Sequence, residues 1–307
     1  MRRHVLLLAG IALSSLLFSP SLFGQVAISL KTDSSNYLQY QPVNVVLSMR
    51  NLSAHPLAFG DSKNLKGSLR FEIYDGAGNL VPLRNEETPP MLGVILQPGV
   101  PQTMTFNVSA YYNLNAKGRY SLKAMLSHPM LPAEYESSTM STFSVSDGQE
   151  IWTRSIGMPD YMGNKELKSI PARDYKIVSI FDGKTTSYIL VVEDKERVYA
   201  VKRVGFDMGG NLLPKCEIDS LSRLNLLIAA SPKVFVCYVY GPEGKLESSK
   251  VFIKTQTTPS LVVNQKDGSV QVLGGRLARK DTDYQELKEL PFLGQASESK
   301  VADEEEP

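Results

Sequence analysis

The stretch Ser68-Leu69-Arg70-Phe71-Glu72-Ile73-Tyr74-Asp75-Gly76-Ala77-Gly78-Asn79-Leu80-Val81 decides the fold class. Leu69, Phe71 and Ile73 occupy every second position, between Ser68, Arg70, Glu72 and Tyr74. Successive side chains of a strand point to opposite faces, so this spacing gives one apolar face and one wet face. The next five residues, Asp75 to Asn79, tolerate positive φ or bond their own backbone. Leu80-Val81 then resumes the apolar pattern. The whole reads as strand, tight turn, strand: a β-hairpin.

The same pattern extends outward in both directions. Upstream, Val43, Val45 and Leu47 alternate with Asn44, Val46 and Ser48. Downstream, Gln97-Pro98-Gly99 reads as a turn, and Met104, Phe106 and Val108 alternate again. Residues 118–124 and Phe143-Ser144-Val145 read as later strands. About seven short strands across residues 26–146 predict an immunoglobulin-like sandwich.

The second half is also β in pattern, but of a different texture. Strands are predicted at 174–181, 188–193, 197–204, 224–229, 234–240, 250–254, 261–263 and 270–273. Asp182-Gly183-Lys184, Gly209-Gly210-Asn211 and Gly241-Pro242-Glu243-Gly244-Lys245 separate some of them. Leu226-Leu227-Ile228 and Ile189-Leu190-Val191-Val192 are apolar on consecutive positions, as in strands covered on both faces. Strand, Asp-Gly turn, strand also suits a propeller blade. Roughly 105 residues, however, make fewer than three blades of ~40 each. A second antiparallel β domain, a sandwich or small barrel, is therefore expected ahead of a partial propeller. The expected organisation is all-β: a signal peptide at 1–24, a sandwich at 25–147, a linker at 148–172, a second β domain at 173–279, and an acidic, disordered tail at 280–307.

Thr32-Asp33, Tyr37, Tyr40-Gln41-Pro42-Val43, the 75–79 hairpin and Leu96-Gln97-Pro98-Gly99 carry a resemblance. On these residues the first half resembles macroglobulin-like and related bacterial immunoglobulin-like domains. The shared residues describe strand openings and turns, over less than half the chain. The resemblance implies a packing and display module. The Gly-Cys-Gly-Glu-Gln thioester motif of full macroglobulins is absent, so it implies no covalent trap.

The first residues fix the expected compartment. Arg2, Arg3 and His4 precede an apolar run from Val5 to Leu13, followed by Ser19-Pro20-Ser21 and Gly24. A positive start, a short apolar middle and a small-residue end form a secretory signal. The run falls short of the roughly 20 apolar residues that span a bilayer. A periplasmic or secreted product is expected, with no integral membrane segment once the signal is removed. Residues 281–307 hold nine acidic side chains against Lys288 and Lys300, and the positive charges elsewhere form no block. Nucleic acid is thus not an expected partner. The two cysteines, Cys216 and Cys237, either pair in an oxidising compartment or pack as small apolar side chains.

Catalytic motifs are sparse. His55 and His128 each precede proline, which biases them to extended or turn backbone and to solvated loops. The chain has no Gly-x-Ser-x-Gly elbow, and Gly183-Lys184-Thr185 lacks the upstream glycine of a phosphate loop, because Val178 stands there. No cofactor or metal is expected. Glu86-Glu87, Glu193-Asp194 and the pair Glu217 and Asp219 are the carboxylates that could serve a hydrolase. Trp152 is the sole tryptophan, at the expected junction, where it packs the halves together or, with Tyr111 and Tyr112, offers a ring platform to a ligand.

The expected function is that of an exported, non-catalytic binding or scaffolding protein, presenting a sheet edge or loop end to a protein or glycan of the cell envelope. The alternatives are an exported, carboxylate-dependent hydrolase of sugar polymers, with its groove near Trp152, and a proteinase inhibitor acting through the proline-stiffened loop Glu86-Glu87-Thr88-Pro89-Pro90-Met91.

Overall fold

A computed structural model describes residues 25–84, 87–158, 172–279 and 282–283. The expected leader and almost all of the acidic tail lie outside the described residues. In chain order the strands are β1 Val26–Thr32, β2 Asn36–Leu38, β3 Asn44–Asn51, β4 Leu57–Ala58, β5 Ser68–Tyr74, β6 Ile95–Leu96, β7 Pro101–Asn107, β8 Gly118–Ser127, β9 Tyr135–Glu136 and β10 Ser141–Ser146. They continue with β11 Gln149–Gly157, β12 Ala172–Phe181, β13 Thr186–Glu193, β14 Val198–Phe206, β15 Lys215–Ile218, β16 Leu224–Ala229, β17 Val234–Tyr240, β18 Leu246–Ile253, β19 Ser260–Val263, β20 Val270–Leu273 and β21 Arg276–Leu277. The chain is all-β, and its described sheets are open: none closes into a barrel.

Eight of the first ten strands build a two-layer sandwich, and β4 and β6 pair with each other as a separate two-stranded ribbon. One sheet runs β1-β3-β7 and the other β2-β10-β8-β5, with β9 paired to β8. Pairing is antiparallel except where β2 lies parallel to β10. The alternation in the sequence becomes the inward face. Val45, Leu47 and Met49 of β3 oppose Leu69, Phe71 and Ile73 of β5, and Leu122, Ala124 and Leu126 of β8, in one core. Each of these side chains except the small Ala124 contributes on the order of 1.5–3 kcal/mol on burial. The turn after β5 forms as expected. Asp75 N–H bonds the Asn79 carbonyl, the Asp75 carboxylate accepts from the Ala77 and Asn79 N–H groups, and Gly78 sits at φ +84°. Its returning arm is a single bridge, Tyr74 to Leu80, rather than a strand.

The later strands form a stack. A third sheet runs β11-β12-β13-β14 in meander order, and a fourth runs β15-β16-β17-β18-β21, a meander as far as β18 that β21 rejoins after the β19-β20 hairpin. Tyr175, Ile177, Tyr188, Leu190, Val192 and Val204 of the third face Leu224, Leu226, Ile228, Val236 and Tyr238 of the fourth in a second core. Gly205 permits the close approach, since a Cβ there would meet Ile228 Cδ1 at 2.4 Å. The other face of the third sheet packs Val178, Ile180, Ile189 and Val201 around Leu38 of β2. That contact joins sandwich and stack. The Asn36 side chain also donates to the Phe181 carbonyl at 3.2 Å, and Ser35 donates to the Asp182 carbonyl. The hairpin β19-β20 lies on the outer face of the fourth sheet, with Leu261 and Val272 against Leu227, Ala229, Phe235 and Cys237.

In the stack, three strands escape the sequence pattern. Residues 147–172, read as a connection, contain β11, which pairs along most of β12. A bulge between Glu150 and Trp152 breaks its alternation, and it is an edge strand with little buried. β15 and β21 are too short to show a period.

Candidate functional site

The fourth sheet holds a polar residue in an unusual place. β16 reads Leu-Asn-Leu-Leu-Ile-Ala, and all six residues are buried. Paired residues of an antiparallel ladder share a face. Leu224, Leu226 and Ile228 face the second core, so Asn225, Leu227 and Ala229 face outward, toward the hairpin layer. Asn225 stands opposite Glu217 on β15 and Val239 on β17, and Val239 stands opposite Ser248 on β18. Asn225 is 5% exposed, yet its Nδ2 has no hydrogen-bond partner. A buried amide donor left unpaired costs about 1–3 kcal/mol, so it marks a place where an acceptor is wanted.

Asn225 lines an open groove. Its lining is Asn225, Cys237, Val239, Ser248, Lys250 and Phe252 from the fourth sheet and Val270, Gln271 and Val272 from β20. The cavity volume is about 280 Å³. Ligand pockets for drug-sized molecules and cofactors run from roughly 300 to 1,000 Å³, so this groove suits a few side chains rather than a large cofactor. Its chemistry is mixed: apolar walls from Val239 and Phe252, donors from Asn225, Ser248 and Gln271, and the Lys250 ammonium. The groove exists because the hairpin is two strands wide while the sheet beneath is five. β19 covers β15 and β16, leaving the β17–β18 side open.

A second hollow, of about 420 Å³, lies on the wet face of the first sheet between Ser29, Leu30, Lys31, Val46, Ser48 and Thr103. It is larger, but no buried polar atom without a partner belongs to its lining.

The residues singled out in the sequence fall elsewhere. Tyr112 is buried in the first core, where its hydroxyl donates to the Phe71 carbonyl at 2.5 Å and accepts from the Phe71 N–H at 3.1 Å. Tyr111 packs on the same core, partly buried. Trp152 is partly buried against the second core, so it packs within the stack instead of bridging the two halves. The three rings are not brought to a common face. The cysteines are both free. Cys216 opposes Leu226 on the inner face of the fourth sheet, and Cys237 opposes Leu227 on the outer face, with β16 between them. Two thiols on opposite faces of a sheet cannot bond, so the disulfide alternative is excluded. Burial pushes the Cys237 thiol up to about 11 and the Cys216 thiol up to about 12, leaving both protonated and unreactive at neutral pH.

His128 departs from the expected solvated loop. It is 5% exposed, its Nε2 lies 3.0 Å from the Ala58 carbonyl, its Nδ1 accepts from the Met130 N–H, and its ring stacks edge-on against Phe59. His55 is exposed. Among the described residues no group of three metal-binding side chains comes together.

Three of the carboxylates of the hydrolase alternative, Glu193, Asp194 and Asp219, are engaged in ion pairs. Glu193 accepts from Lys176 at 2.6 Å, and Asp194 accepts from Arg173 at 2.6 Å and from the Tyr199 hydroxyl at 2.5 Å. Arg173 and Arg197 lie over the Tyr199 ring at 3.6 and 4.1 Å. The Tyr199 hydroxyl first, then the N–H groups of Glu196 and Arg197, then the Arg173 charge, hold Asp194 at about 2. Asp219 is bound by Arg223 at 2.8 Å. In the loop of the inhibitor alternative, Met91 is buried in the first core, which ties that end down; Glu86 lies outside the described residues.

No helix of the described residues is long and apolar enough to cross a membrane. Comparison of the chain with protein-family models, with curated proteins and with solved structures finds no match.

Proposed function

We propose that this chain is an exported, non-catalytic binding protein of the cell envelope, whose ligand seats in the groove between the fourth sheet and β20. The observation that carries the reading is the Asn225 amide, buried, unpartnered and lining an open groove. The leader-like start supports export. The sandwich acts as a display and packing module of immunoglobulin-like kind, in keeping with its resemblance to macroglobulin-like domains. The absence of a catalytic role is supported by the ion pairs that occupy Glu193, Asp194 and Asp219 and by the raised thiols of both cysteines.

The test compares the mature chain with its Asn225→Leu variant on envelope extract and on an array of envelope glycans. Leucine removes the orphan donor and narrows the groove while leaving the apolar floor intact. The reading predicts a ligand retained by the parent chain and lost by the variant. Equal retention by both chains, or none by the parent, contradicts it.

A further inference from the structure

The hydrogen-bond phase of the β19-β20 hairpin exposes a second property of the groove. In an antiparallel ladder, bonded and non-bonded pairs alternate. The Asn264 N–H bonds the Ser269 carbonyl at 2.7 Å, which makes that pair a bonded one. The register then makes Val262–Gln271 and Ser260–Leu273 bonded pairs as well. Val270 and Val272 alternate with them, so their N–H and C=O groups point away from β19. They point to the side where β20 has no neighbouring strand among the described residues. That side is the groove, since Val270, Gln271 and Val272 line it.

We infer that the groove takes an extended peptide segment of a partner protein, added as a third strand beside β20. This rests on the reading of the groove as the ligand site and names the ligand's class. An incoming strand would bond the Val270 and Val272 backbone groups and lie about 4.8 Å from β20. Strand addition of this kind takes its affinity from main-chain bonds and its specificity from alternate side chains. The strand's inward side chains would meet Val239 and Phe252, which want apolar partners, and Lys250 and the Asn225 amide, which want an acceptor. The partner is therefore an extended segment with apolar side chains at alternate positions and one carboxylate among them. The small cavity agrees with this: it holds side chains, while the backbone rides on its rim.

A displayed library of random heptapeptides, selected on the full chain, tests the assignment. Selected peptides are expected to alternate apolar residues and to carry Glu or Asp at one inward position. N-methylation of alternate backbone nitrogens is expected to weaken them at least tenfold. Val270→Pro removes only an outward N–H, since that group makes no bond within the hairpin, and is expected to weaken binding at least tenfold with the fold retained. Asn225→Leu gives a second reading that leaves the β20 edge intact. Peptides without alternation, peptides insensitive to N-methylation, or binding unchanged in Val270→Pro overturn the strand proposal. Three further outcomes also overturn it. A glycan held in the groove and lost in Asn225→Leu would leave the binding function standing with another ligand class. Binding seen only after removal of residues 284–307 would assign the groove to the chain's own tail. Failure of every ligand class at the groove would remove both the strand proposal and the function it rests on.

Discussion

Two buried asparagines summarise how the sandwich differs from the stack. Asn51, in the sandwich, is fully exploited. Its amide donates to the His55 and Leu96 carbonyls at 2.7 and 2.9 Å, and its Oδ1 accepts from the Ser53 N–H and hydroxyl. Asn225, in the stack, is also buried and leaves its donor unused. The first belongs to a structure that is closed: two layers and one core, with no buried side-chain polar atom left unpartnered among its described residues. The second belongs to a layered series whose last layer is incomplete. A polar group inside a closed layer fixes a loop, whereas one at an unfinished layer is free to recognise something else.

The largest expected effects ask whether the two cores are equally committed to stability. Leu47→Ala in the sandwich and Leu226→Ala in the stack each empty a fully buried site. Each is expected to cost about 2–5 kcal/mol in chemical unfolding. A far smaller loss at Leu226 would mean that the stack is loosely packed throughout, and not only at its outer face. Next comes the closed sandwich's reliance on satisfied polar groups. Tyr112→Phe strands the Phe71 N–H and C=O in the core and is expected to lower unfolding free energy by about 1–3 kcal/mol. An unchanged midpoint would show that the ring alone matters.

Asp194 probes the stack under acid. Its folded value of about 2 lies below the ordinary carboxylate value, so its stabilising contribution is full above about pH 4 and is lost as pH falls through 2. The Asp194→Asn variant should therefore melt below the parent at pH 7 by a margin that closes between pH 4 and pH 2. A margin independent of pH would assign the effect to packing against Tyr199. The smallest effect is expected at the seam of the two regions. Asp33 and Arg203 are 3.9 Å apart and both are partly exposed. Asp33→Asn should change stability by less than about 1 kcal/mol, read in the same unfolding assay. A larger loss, matched by Arg203→Gln, would make that ion pair a principal tie between sandwich and stack; one not matched would lie with the hydrogen bond that Asp33 accepts from the Tyr37 hydroxyl.

The same contrast governs what could be read in advance. In the sandwich each strand has one covered face, so apolar residues alternate, and the phase of β3, β5 and β8 is visible in the sequence. In the stack both faces of β16 and β17 are covered, so they appear as near-continuous apolar runs, broken only at Asn225, whose bounds are plain but whose faces are not. Without the faces, the opposite orientations of Cys216 and Cys237 could not be seen, and pairing stayed open. Edge strands gave the weakest signal: β11 is bulged and exposed, and β15 spans four residues. His128 lies in a turn by its His-Pro sequence, and only the tertiary contact with Phe59 and Ala58 buries it. The groove left one trace, the lone polar residue in Leu224-Asn225-Leu226-Leu227-Ile228-Ala229. A polar side chain within a doubly covered strand must find a partner somewhere. The aromatic residues Trp152, Tyr111 and Tyr112 drew attention instead, and the fold uses them for packing.

The claim that the outer layer is unfinished is tested most directly by unfolding free energies of Asn51→Leu and Asn225→Leu, measured side by side on the full chain. The account predicts a loss of about 3 kcal/mol for Asn51→Leu, which strands the His55 and Leu96 carbonyls, and no loss or a gain for Asn225→Leu. Equal destabilisation by the two substitutions would contradict it, because Asn225 would then already have its partner within the chain.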